Sequence, residues 1–201
     1  MTLHLRNFHS NLNKMIVHST DSQHILQINY AYLISCMETY LSCAMWKSLD
    51  EYPKKYINLA QGMNNTAKLR TIYAKGLPAF IEEALANLQY HNLSQVKIHY
   101  KNAFNITFPL NLSLLLRAIG IRHDIVHRCG HSKQGKSRSI GFEEIEALTK
   151  NISSFIENID KQLESKLQEW SLSNTQQARK DRYYAHRNDY SKSKRNRREI
   201  C

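Results

Sequence analysis

Glycine and proline are scarce in this chain, at six and three of 201 residues. A turn-rich β sandwich needs more of both, because tight hairpins use positive-φ positions and preset turns. Cysteine is too sparse to form a framework. Cys36, Cys43, Cys129 and Cys201 contain no CxxC pair and no regular spacing, which argues against a zinc ribbon or a disulfide scaffold. No apolar run approaches the roughly 18 residues of a membrane span. Met1–Lys14 alternates polar and apolar residues without the apolar core of a signal peptide. These absences lead us to expect a soluble, cytoplasmic protein with reduced thiols. Acid is short too: 17 Asp and Glu against 28 Lys and Arg leave a net charge of +11. A polyanion such as nucleic acid is the expected partner, with anionic membrane the weaker competitor.

What is present points to helices. Hydrophobic residues make up 42% of the chain, enough for one domain with a sizeable core. Residues 1–22 read as a loosely held lead-in, ending in a plausible capping box at Thr20–Gln23. Ile25, Ile28, Tyr32, Cys36, Tyr40, Cys43 and Trp46 then step at three or four residues, which predicts a long amphipathic helix. On that phase both Cys36 and Cys43 are core residues and Glu38 lies on an exposed flank. Pro53 and Gly62 bracket a polar connector with room for one turn of helix. Pro78 opens a helix through Phe80, Leu85 and Leu88. Val96, Tyr100 and Phe104 mark a short one stopped at Pro109. The next runs from Leu110 to about Arg128, with Leu112, Leu115, Leu116 and Ile119 as its core stripe and Gly130 as its C-cap. Phe142, Ile145, Leu148, Ile152, Phe155, Ile159, Leu163, Leu167 and Trp170 define the last. The expectation is an all-α bundle of four to five helices over residues 23–172. A basic, flexible or weakly helical tail follows over residues 173–201.

The chemistry concentrates in Ile121-Arg122-His123-Asp124-Ile125-Val126-His127-Arg128, five ionisable residues in eight positions. Arg122 offers a planar fork of donors that suits phosphate, and His127 can move a proton near neutral pH. Asp124 precedes His127 by three positions and Arg128 by four, so it could orient either. Five residues of ideal helix nevertheless set Arg122 and His127 about 140° apart. The plainer reading is a surface ion network of Arg122, Asp124 and Arg128 with His127 as a helix-end cation.

The stretch Ile121–Gly130 resembles the signature of HEPN-superfamily ribonucleases, in which an Arg, a polar residue and a few further positions lead to a His at a helix end. The version here is similar to the RiboL-PSP-HEPN branch. Tyr32–Leu49, His91–Pro109 and Glu144–Leu163 resemble the branch's other segments more loosely. The resemblance covers about residues 25–170. It implies an all-α domain with metal-independent endoribonuclease activity and no cofactor, and a homodimer whose motif helices share one composite cleft. It also implies a toxin or antiviral-defence effector that cuts tRNA, rRNA or mRNA, often beside an antitoxin or sensor protein. Arg122 and His127 take the motif positions and His123 the polar slot, with Asp124 as an orienting residue and Glu38 as a supporting acid. Arg128, Lys133, Lys136 and Arg138, close in sequence to His127, are the candidate RNA contacts.

Two rivals stand beside this reading. His123, His127 and His131 fall four apart with Cys129 between them, so a zinc site must be weighed. A non-catalytic module binding nucleic acid or a partner is the other. The tail adds nine Lys and Arg against three Asp and Glu over Gln176–Cys201, with Tyr183, Tyr184 and Tyr190 among them. Phosphates would meet the charges and unpaired bases the rings, unless the segment only solubilises the protein or docks an acidic partner. Deleting residues 176–201 is expected to weaken RNA binding and flatten its dependence on salt. Unchanged affinity and slope in a filter-binding series would leave the tail outside RNA recognition.

Overall fold

The computed structural model describes residues 1–198 apart from 16, 19, 53–54, 62–71 and 73. Side chains are described through residue 176, that of residue 61 excepted. The expected brackets Pro53 and Gly62, and the tail's charged and tyrosine side chains, lie outside the described residues. The fold is all-α: seven helices and no β-strand occur among the described residues. They are α1 (Leu3–Asn13), α2 (Gln23–Glu51), α3 (Lys55–Gln61), α4 (Leu77–Ala86), α5 (Leu93–Phe104), α6 (Ser113–Arg128) and α7 (Phe142–Arg198). Contacts divide the chain into Met1–Leu163 and Glu164–Cys201, and every site discussed below belongs to the first unit. No helix among the described residues is long and apolar enough to cross a membrane.

The core is built on α2. Leu33, Ile34, Met37, Leu41, Ala44, Met45 and Leu49 are fully buried along it, and α1 and α6 both pack against it. The burial phase differs from the expected stripe, since Ile25, Ile28 and Tyr32 are exposed. Cys36 is buried as expected but Cys43 is exposed. α2 is apolar on most of its circumference, so spacing alone did not settle which face turns inward. The same holds for α6, where Leu115, Ala118, Ile121 and Asp124 are buried and Leu116 is not. α4 begins with a proline in its first turn, and α5 ends at Asn105 in the left-handed region (φ 58°), four residues before Pro109. The stripe Ile145, Leu148, Ile152, Phe155, Ile159 and Leu163 of α7 is buried as its spacing predicts.

The lead-in is not loose. α1 buries Leu5 and Phe8 against the core, and Thr2 caps it by accepting the Leu5 amide at 3.2 Å. Ser22 is the N-cap of α2 without a side-chain cap bond, so the expected capping box does not form. What holds α1 is Asp160 of α7, almost wholly buried. Its carboxylate accepts from the Thr2 amide at 3.2 Å, from the Thr2 hydroxyl, and from the Tyr40 hydroxyl at 3.0 Å. A negative charge at the start of α1 also meets the positive end of that helix's dipole. One carboxylate thereby ties α1, α2 and α7 together. Asp160→Ala strands these buried donors and is expected to cost about 2–3 kcal/mol. Urea unfolding at neutral pH measures it; a loss below about 0.5 kcal/mol would show that Asp160 does not anchor α1.

Candidate functional site

The C-terminal end of α6 carries the ionisable cluster, and its geometry starts from how the helix stops. Cys129 is the C-cap at φ 50° and Gly130 follows at φ 79°, so two consecutive left-handed residues turn the chain. The cap lies one residue before the expected Gly130. Gly130 nevertheless suits the turn: at φ 79° an L side chain is strained, and a Cβ there would displace the Gln27 amide, 2.5 Å away. That same Gln27 amide donates to the Arg138 carbonyl at 2.9 Å. Gln23 accepts from the Ile140 amide at 3.0 Å and the Ser139 hydroxyl at 2.7 Å, and donates to the Ile140 carbonyl at 3.0 Å. Residues 130–140 thus form an ordered hairpin, closed by the Arg138 amide on the Gly130 carbonyl at 2.7 Å and pinned to α2 by two glutamines.

Asp124 is the ionic centre of this corner. Its carboxylate is buried and accepts from Nη1 of Arg128 at 2.7 Å and from Nε of Arg138 at 3.1 Å. Burial alone would push this carboxyl up. The hydrogen bonds and charges of Arg138 and Arg128 outweigh it and hold Asp124 below the usual carboxylate range. Asp124 therefore braces the two arginines rather than orienting His127. Arg128 and Arg138 share that brace, while Lys133 and Lys136 are exposed on the hairpin.

His123 and His127 are both exposed and lie in ring contact, centroids 4.5 Å apart. Partial desolvation, aided by the charges of Arg128, His127 and Lys133 and opposed by Asp124, lowers the His123 pKa from its ordinary value. His131 leaves this face, with its Nδ1 3.2 Å from the Arg128 carbonyl oxygen. Among the described residues no three His, Cys, Asp or Glu side chains assemble in a group able to hold a metal ion.

Two cavities flank the end of α6. One, of about 610 Å³, is lined by His123, Asp124, Arg117, Arg128, Lys133 and Arg138, among others. Four cations thus face one carboxylate that is already committed to two of them. The other, of about 420 Å³, lies between α2 and the α4–α5 turn and is lined by Glu38, Gln89, Tyr90, His91 and Arg122, among others. Arg122 and His127 share neither. The structure groups Asp124 with Arg128 and Arg138, His123 with His127, and Arg122 with Glu38. Comparison with family models, with curated proteins and with solved structures finds no match.

Glu38 is not simply an exposed flank residue, because its Oε1 is buried. Arg117, His91 and the two glutamines of α2 were missed. Arg117 alone left a trace, sitting seven residues, about two helical turns, before Asp124. The lowered Asp124 pKa yields a sign. The ordinary value is about 3.9, so Asp124 adds stability above about pH 4 and loses it as pH falls through its lower folded value. Amide exchange across residues 130–140 is expected to quicken only below about pH 4, and Asp124→Asn to quicken it already at pH 7. Loosening that begins near pH 6 would assign the effect to a histidine instead.

Proposed function

We propose that this chain is a metal-independent endoribonuclease that cleaves RNA through its own 2′-hydroxyl, acting as a toxin or defence effector. The observation that carries the reading is the cationic groove beside His123, where Arg117, Arg128, Lys133 and Arg138 outnumber Asp124. A phosphate backbone is the natural occupant of such a surface. The resemblance of Ile121–Gly130 to the HEPN signature supplies the reaction class. Cleavage of tRNA, rRNA or mRNA, and restraint by an antitoxin or sensor protein, come with that resemblance alone.

In the proposed reaction His127 takes the proton of the 2′-hydroxyl, whose oxygen attacks the adjacent phosphorus. The bond from phosphorus to the 5′-oxygen breaks, and that oxygen leaves with a proton supplied by a second acid. Arg122 stabilises the charge that grows on the non-bridging oxygens. The products are a 2′,3′-cyclic phosphate and a 5′-hydroxyl.

A second copy of the chain would bring the parts together. About 140° of helix separates Arg122 from His127, so one chain offers each to a different side. On the face of α6 that carries His123 and His127, Leu116 and Val126 are exposed (48% and 50%). An apolar seam of this kind suits pairing with another α6 across a two-fold axis. The His127 of one copy then acts as base and that of the other as acid.

A non-catalytic RNA-binding module is the second reading, favoured by the separation of Arg122 from His127 within one chain. Replacing either by alanine decides between the two. Arg122→Ala and His127→Ala are each expected to lower RNA cleavage at least about a hundredfold while leaving the protein folded, and wild-type cleavage to survive excess EDTA. Retention of wild-type cleavage by both variants would refute the catalytic assignment.

A further inference from the structure

The cavity on the α2 side of Arg122 is lined by polar groups that the fold leaves unsatisfied. Nε of Arg122 and Oε1 of Glu38 are both buried there without a hydrogen-bond partner. Nδ1 of His91 lies 3.4 Å from that Glu38 oxygen, an ion-pair distance without hydrogen-bond geometry. A buried polar atom without a hydrogen bond is costly, and a fold that keeps one such atom on each of two part-exposed side chains lining the same opening holds them ready for a ligand. The cavity's volume of about 420 Å³ is at the small end of ligand sites, roughly 300–1,000 Å³. It has room for one base or mononucleotide and not for folded RNA.

The pair of charges restricts the chemistry. Arg122 disfavours a free cation, and Glu38 disfavours a free phosphate or other simple anion. A ligand must bring an anion to the arginine and N–H donors to the carboxylate. A nucleotide does both, and among the bases guanine alone presents two adjacent donors, N1–H and the exocyclic amine, that match the two oxygens of one carboxylate. Leu88 and Tyr90 supply apolar wall beside them.

We propose that this cavity is a base-recognition subsite, in which Glu38 reads guanine and Arg122 holds the phosphate attached to it. The inference rests on the RNA-cleavage reading above and gives that activity a sequence preference for unpaired G. Glu38 is here a specificity residue and His91 its positioning neighbour.

Guanosine and adenosine monophosphates, titrated calorimetrically into the intact chain, provide the test. The wild type is expected to bind the guanosine nucleotide at least about tenfold more tightly, since one good bidentate contact discriminates by that order. Glu38→Gln, which is isosteric but offers one acceptor where guanine needs two, should bring the two nucleotides within about twofold at unchanged helical circular dichroism. Equal affinities in the wild type, no binding of either, or a preference that survives Glu38→Gln would each overturn the proposal. The cleavage reading fails separately. His127→Ala is expected to keep the guanosine preference while losing cleavage, and an enzyme that cuts RNA without regard to G refutes the subsite alone.

Discussion

A helix advances about 100° per residue, and on α6 that rotation determines the reach of each ionisable side chain. Asp124 turns inward and must be neutralised by Arg128 and Arg138. Arg122 turns toward α2 and the cavity that contains Glu38. His123 and His127, one turn apart, share the outward face. Five ionisable residues thereby serve three different surroundings, although they stand within seven consecutive positions.

The inward group makes the outward ones usable. A lone buried carboxylate would be expensive, but here it draws Arg138 back from the hairpin onto the helix it follows. Gly130 allows the sharp turn, and Gln23 and Gln27 hold the returning arm of the hairpin on α2. The hairpin's Lys133 is consequently kept at the groove beside His123 instead of being free to wander. Stability and electrostatics are linked at this corner: the interactions that order the loop also assemble the positive surface.

The sequence announced the helices better than their phases. α7 is polar on one side and apolar on the other, so Ile145 through Leu163 could be placed in the core from spacing alone. α2 carries apolar residues nearly all round, and the apparent stripe Ile25, Ile28, Tyr32 is exposed while Leu26, Tyr30 and Leu33 are buried. α1 left little signal because only Leu5 and Phe8 of its eleven residues are buried, and its chief anchor, Asp160, is 158 residues away from Thr2. The site was legible in the same measure. Arg122, His123, Asp124 and His127 stood out by composition. Glu38, across the cavity from Arg122, was named as a site residue only through the resemblance and His91 not at all, because the two meet only once α2 and the α4–α5 turn have packed.

In the reaction we propose, RNA is broken by its own 2′-oxygen at a site built from the end of α6. The chemistry of the ends left on a cleaved RNA tests it most directly. Treating a defined RNA with the full chain and analysing the fragments by mass spectrometry should reveal 2′,3′-cyclic phosphate on one side of the cut and 5′-hydroxyl on the other. Fragments with 3′-hydroxyl and 5′-phosphate ends would contradict the account.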